Sequence, residues 1–190
     1  MSDDQQSHAG AGGALELTSV WKQVTPELTS ELIAFWARNH ALPDPTKAAA
    51  RASQVVCISR NEQGHVWGVG TAYLGILPTF GQPSYLYRQF FDAGARGQRQ
   101  TIPFICGARD ILEAYNASLP QPESIGVCFE LQNDTLQQRY QAIHEEIPNA
   151  YFLGYSPRGN QLRMMPFKGA KLLLPPKKTA VPPQRPQRFA

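Results

Sequence analysis

The segment DAGARGQRQTIPFICGARDILEAY, residues 92–115, brings Gly94, Arg96, Gly97 and Arg99 to the approach of an amphipathic helix. Glycine lets the backbone come close to a ligand, a helix start exposes unpaired N–H groups, and guanidinium pairs with phosphate oxygens. The turn therefore either cradles a phosphate or pyrophosphate or is an ordinary strand-to-helix loop that happens to be basic. Arg88, in YLYRQFFD, stands among large apolar neighbours, where an unpaired charge is costly. Its expected partner is Asp92 on its own face, Glu130 on the following strand, or a carboxylate or phosphate on a ligand. Glu130 ends the run GVCFE and shares a face with Gly126 and Cys128. A carboxylate at that depth is expected to have a raised pKa and to act as a base, directly or through water, unless it pairs with Arg88 or lies at an exposed strand end. Cys106 has apolar neighbours and reads as an inert thiol. His8, His40, His65 and His144 show no metal-ligand spacing, and HExxH and CxxC are missing, so no metal is expected.

These residues need elements to hold them. LELTSVWKQV (15–24) reads as a first strand. Thr25 then caps a helix with Pro26 in its first turn and Leu28, Leu32, Phe35 and Trp36 on one face, and Asp44 with Pro45 repeats that signal for a short second helix. QVVCIS and HVWGVGTAYLGIL form a hairpin turned at Gly64, and SYLYRQFFDA is strand four. On that strand, alternation puts Leu86, Arg88, Phe90 and Asp92 on one face and Tyr85, Tyr87, Gln89 and Phe91 on the other. Thr101 is the expected cap of the third helix, whose apolar face is Phe104, Ile105, Ala108, Ile111, Leu112 and Tyr115. SIGVCFEL makes strand five. NDTLQQRYQAIHEE makes a fourth helix with Leu136, Tyr140 and Ile143 as its stripe, and AYFLGYS with QLRMMPF closes the chain as a hairpin. Arg158, Arg163 and Lys168 around that hairpin read mainly as solvated cations.

Composition narrows the class. A chain of 190 residues, 42% hydrophobic and 17% charged, suits one globular domain, and no run reaches the roughly 20 apolar residues of a membrane helix. Residues 1–14 read as a polar disordered arm, 15–174 as the folded body and 175–190 as a basic, proline-rich disordered tail. The arms carry most of the net charge of +3, so the body has no basic excess of the kind a nucleic-acid-binding face shows. Three widely spaced cysteines in apolar runs read as reduced thiols of a cytoplasmic protein.

The order β-α-α-β-β-β-α-β-α-β-β, with strand four entering a helix through RGQRQT and strand five followed by NDTLQQRY, resembles the GNAT superfamily of N-acetyltransferases over residues 15–174. The resemblance implies an α/β fold: a central mixed, mostly antiparallel sheet of about seven strands flanked by about four helices. In that superfamily the strand-four turn reads Arg/Gln-x-x-Gly-x-Gly/Ala and its backbone N–H groups hold the pyrophosphate of acetyl-coenzyme A. Arg96, Gly97 and Gln98 fall in register with it, while Arg99 and Thr101 stand where small residues belong. The helix after strand five commonly begins Asn-x-x-Ala-x-x-x-Tyr, and Asn133 and Tyr140 have that spacing, with Leu136 at the small position.

The resemblance assigns cofactor contacts to Arg96, Gly97, Gln98, Arg99, Thr101 and Asn133. It gives Tyr140 the protonation of the leaving thiolate, against packing as its plain role, and makes the polar side chains of strands four and five the candidates, so that Glu130 reads as the base and Arg88 as the grip on an acidic acceptor. The implied activity is transfer of an acetyl or other acyl group from acyl-coenzyme A to a small-molecule amine, without metal. Two alternatives stay open. One is a GNAT-fold binding module without catalysis, suggested by Arg99 and Thr101. The other is an acyl-carrier-protein-dependent N-acyl synthase, with Tyr85, Tyr87, Phe90 and Phe91 along an acyl channel. A homodimer is expected if the terminal hairpin is left with an unpaired edge.

Overall fold

The computed structural model describes residues 16–95 and 100–173. Residues 1–15, 96–99 and 174–190 lie outside the described residues. In chain order the elements are β1 (Leu17–Ser19), α1 (Pro26–Arg38), α2 (Pro45–Ala52), β2 (Val55–Arg60), β3 (Val66–Ile76), β4 (Pro83–Phe91), a 3-10 turn (Ala93–Ala95), α3 (Thr101–Ser118), β5 (Gly126–Leu131), α4 (Asp134–Arg139), β6 (His144–Glu145), β7 (Ala150–Tyr155) and β8 (Gln161–Pro166).

Local chemistry sets the first helices. The Thr25 hydroxyl accepts from the Leu28 N–H, and Asp44 Oδ1 accepts from the N–H groups of Thr46 and Lys47, each ahead of a proline in the first turn. Gly64 turns the β2–β3 hairpin with φ of 79°. One sheet holds the eight strands in the order β1-β2-β3-β4-β5-β8-β7-β6, antiparallel throughout except for the parallel pair β4–β5. It matches the expected mixed, mostly antiparallel sheet with four helices; the added strand is the two-residue β6.

The sheet is covered on both faces. Leu32, Phe35 and Trp36 of α1 and Ala48 and Ala52 of α2 pack on Val55, Ile58, Val66 and Val69. On the other face Phe104, Ile105, Ala108 and Leu112 of α3 bury Val56, Tyr85, Tyr87 and Val127, a burial of about 1.5–3 kcal/mol for each large apolar side chain. The alternation expected on β4 is observed, with Tyr85 and Tyr87 facing α3 and Phe90 facing α1. Close approach depends on Gly70, where a Cβ would sit 2.6 Å from the Tyr87 hydroxyl.

Two expectations give way. The first strand is three residues long, because the chain turns after Ser19 to set Trp21 edge-on against Tyr85 and Tyr115. The fourth helix is six residues rather than fourteen. It stops at Arg139, and Ile143, expected on its apolar stripe, is 77% exposed. In the terminal hairpin β8 lies between β5 and β7, and β6 pairs with Ala150 and Tyr151 alone, so the outer edge of β7 is covered only at its start. Among the described residues, no helix is long and apolar enough to cross a membrane.

Candidate functional site

A parallel pair is broken where the site begins. β4 and β5 are in register only from Tyr85–Val127 to Tyr87–Phe129, and the ladder ends there, although β4 runs on to Phe91 and β5 to Leu131. A cleft of about 310 Å³ opens at this parting, a volume within the range of small-molecule sites. Its walls are Phe91 and Phe129 from the two strands, Thr101, Ile102 and Ile105 from the start of α3, and Asn133, Leu136 and Tyr140 around α4.

The first turn of α3 is tied to β4. Tyr87, fully enclosed, donates its hydroxyl proton to Gln89 Oε1 at 3.0 Å, and Gln89 Nε2 donates to the Thr101 carbonyl at 3.3 Å. Burial, and then the neighbouring Cys57 and Cys106, push the Tyr87 phenol well above its ordinary pKa, so it serves as a neutral donor. Thr101 is not the cap. Gln100 occupies the cap position, its side chain making no capping bond to the helix, so Thr101 falls inside the first turn, on the cleft. Arg96, Gly97, Gln98 and Arg99, the residues assigned to the phosphate turn, lie outside the described residues.

Asn133 caps α4 through Oδ1, which accepts from the Thr135 N–H at 2.8 Å. Tyr140 is the residue at which that helix ends, with φ −103° and ψ 82°, rather than one turn of a continuing stripe. A buried arginine ends the helix there. Arg163, on β8 and 2% exposed, donates to the Tyr140 carbonyl at 2.5 Å, to the Ala142 carbonyl at 3.0 Å and, through Nε and Nη2, to Gln161 Oε1. Those carbonyls are drawn out of the helical ladder, and the 140–145 segment is fixed over the cleft. Arg163 was expected as a solvated hairpin cation. Its position two residues from Gln161 on a strand of otherwise apolar residues, QLRMMPF, is the signal that it points inward.

Glu130 lines the cleft, but its carboxylate is occupied. Ser156 Oγ donates at 2.6 Å, Asn160 Nδ2 at 3.0 Å and Gln132 Nε2 at 3.3 Å, and Arg158 makes a close ion pair. Desolvation pushes the carboxyl up, yet the donors from Ser156, Asn160, Arg158 and Gln132 outweigh it and hold the pKa at about 2. The expected raised pKa is thus reversed, because partners 26 to 30 residues further along the chain return to meet the strand end. Arg88 also departs from expectation. It is exposed, and no ion pair joins it to Asp92 or to Glu130, since Glu130 is taken by Arg158.

The remaining candidates are quiet. Cys57 and Cys128 are buried, and desolvation pushes their thiols up to about 12 and about 11. Cys106 is half-buried and also shifted upward by desolvation, which disfavours a reactive thiolate. Among the described residues no group of three or more His, Cys, Asp and Glu could hold a metal ion.

With its mixed eight-stranded sheet and four helices among the described residues, the chain adopts the fold of solved GNAT acetyltransferases. Solved structures bear this out. The chain is similar to a phosphinothricin acetyltransferase from Sinorhizobium meliloti, solved with acetyl-coenzyme A, with a TM-score of 0.57 at 11% identity over 86% of this chain and 94% of that one. A GCN5-related N-acetyltransferase from Kribbella flavida gives 0.53 at 14% identity, covering 81% and 98%. A GNAT-family acetyltransferase from Listeria monocytogenes gives 0.51 at 14% identity, covering 80% and 95%. No family profile matches the sequence, and no curated protein matches it.

Proposed function

We propose that this protein is an acyltransferase that moves an acetyl or other acyl group from acyl-coenzyme A to the amine of a small molecule, with the donor held in the cleft between β4 and β5. The observation that carries this reading is the end of the β4–β5 ladder at Tyr87 and Phe129, above a cleft that the first turn of α3 and Tyr140 both line. The largely apolar walls, Phe91, Ile102, Ile105 and Phe129, suit the extended arm of the coenzyme. Bound there, the thioester supplies an acyl group already activated for attack by a neutral amine.

The chain's own residues then have separate tasks. The Tyr87–Gln89–Thr101 hydrogen bonds fix the start of α3 beside the cleft. Tyr140, held through its carbonyl by Arg163, is the proton donor to the departing thiolate. Glu130 is not assigned the base: a carboxyl held near pKa 2 is a weak proton acceptor, and its role is to hold the β7–β8 turn at the cleft's rim.

Calorimetric titration with acetyl-coenzyme A, followed by thiol release with a panel of amines, tests the proposal. Binding with turnover is expected. Failure to bind acetyl-coenzyme A and longer acyl-coenzyme A alike contradicts it, and binding without turnover on any amine points instead to a GNAT-fold binding module.

A further inference from the structure

A second cavity, of about 210 Å³, lies on the α1–α2 side of the sheet. It shares Arg88, Gln89 and Gln132 with the donor cleft, so the two spaces meet at the parted strands from opposite faces. Its wall is apolar at Trp36, Leu42 and Phe90, and two arginines, Arg51 of α2 and Arg88 of β4, line it as well. Among the described residues no carboxylate lines it, and neither arginine takes part in an ion pair. Arg60, by contrast, pairs with Glu31, and Arg158 with Glu130.

Two like charges facing one partly desolvated space repel each other, and an anion placed between them removes that cost. Burial first, and the charge of Arg88 second, draw the Arg51 pKa down, as expected of two cations that share an environment. Resting on the reading of the adjoining cleft as the donor site, we propose that Arg51 and Arg88 form the acceptor's anion subsite, so that the substrate is a small amine bearing a carboxylate or a phosphate-type group beside an apolar portion. The guanidinium forks take the anion, Trp36, Leu42 and Phe90 take the apolar portion, and the amine reaches the parting of β4 and β5.

The test separates this from the donor reading. Coenzyme A affinity is measured first by calorimetry in the wild type, Arg51→Gln and Arg88→Gln, with circular dichroism as the check on folding. Matched probes are then titrated into the coenzyme A complex: apolar amino acids against their amides, and 3-aminopropylphosphonate against propylamine. The expected result is that the anionic member of one pair binds at least about 10-fold tighter than its neutral counterpart, in keeping with a charge-assisted hydrogen bond. That preference collapses towards unity in Arg51→Gln and in Arg88→Gln. Preference within the amino acid pairs assigns a carboxylate, and preference within the phosphonate pair a phosphate-type group. Equal binding of both members, or a preference that survives both substitutions, overturns the inference. If coenzyme A itself does not bind, the donor reading fails, and the same probe pairs titrated into the unliganded protein decide the anion subsite by the same criterion.

Discussion

Two charged regions flank the parting of β4 and β5, and they are built on opposite terms. At the end of β5, Glu130 receives donors from four side chains, and one layer further along the sheet Arg163 spends its guanidinium on two carbonyls and Gln161. On β4, Arg88 stands with Arg51 before a cavity that offers no carboxylate among the described residues. Charges whose partners come from the chain hold the frame of the site; charges whose partners do not are open to a ligand. The difference teaches which polar residues should register in stability and which in binding.

The sharpest break in that comparison is Arg163→Ala. Removing a buried guanidinium leaves the Tyr140 and Ala142 carbonyls and Gln161 without their donor, so a loss of about 3–5 kcal/mol is expected in urea denaturation. Tyr140→Phe should act on the reaction instead. A fall in kcat of at least about 100-fold is expected, with acetyl-coenzyme A affinity retained and the melting temperature little changed. Glu130→Gln sits between the two. Its folded pKa of about 2 lies below the ordinary value of 4.5, so its stabilisation is present above pH 4.5 and is lost as pH falls through 4.5 towards 2. The substitution should cost on the order of 2 kcal/mol at neutral pH and remove that acid dependence from urea titrations run across the interval. Smallest in stability are Arg51→Gln and Arg88→Gln, expected within about 0.5 kcal/mol of wild type by the same titration. A large loss at either would erase the distinction between the two regions.

The sequence carried the parts of this fold that are decided locally. Thr25 with Pro26 and Asp44 with Pro45 start their helices where the spacing says, because cap, proline and first turn lie within four residues of one another. The inward and outward faces of β4 follow from a period of two. What was illegible depends on distant partners. The fourth helix has a helical pattern through Ile143, yet Arg163, 23 residues beyond Tyr140, takes the carbonyls that would have continued it. Glu130 reads as a buried base in the sequence because Ser156, Arg158 and Asn160 are separated from it by a helix and two strands. Arg51 gave a faint signal. It stands beside Ala48 and Ala52 at the edge of a face of small residues, but in the last turn of α2, where a cation is ordinary.

The parting of β4 and β5 as an acyl-coenzyme A site is the claim on which the rest depends. Its most direct test is an amide NMR titration with acetyl-coenzyme A, following the signals of Arg88–Phe91, Thr101–Ile105 and Phe129–Asn133. The account predicts saturable shifts concentrated in these three segments, with the amides of α1 and the β2–β3 turn unmoved. Shifts that spare all three, or no change at saturating acetyl-coenzyme A, would contradict it.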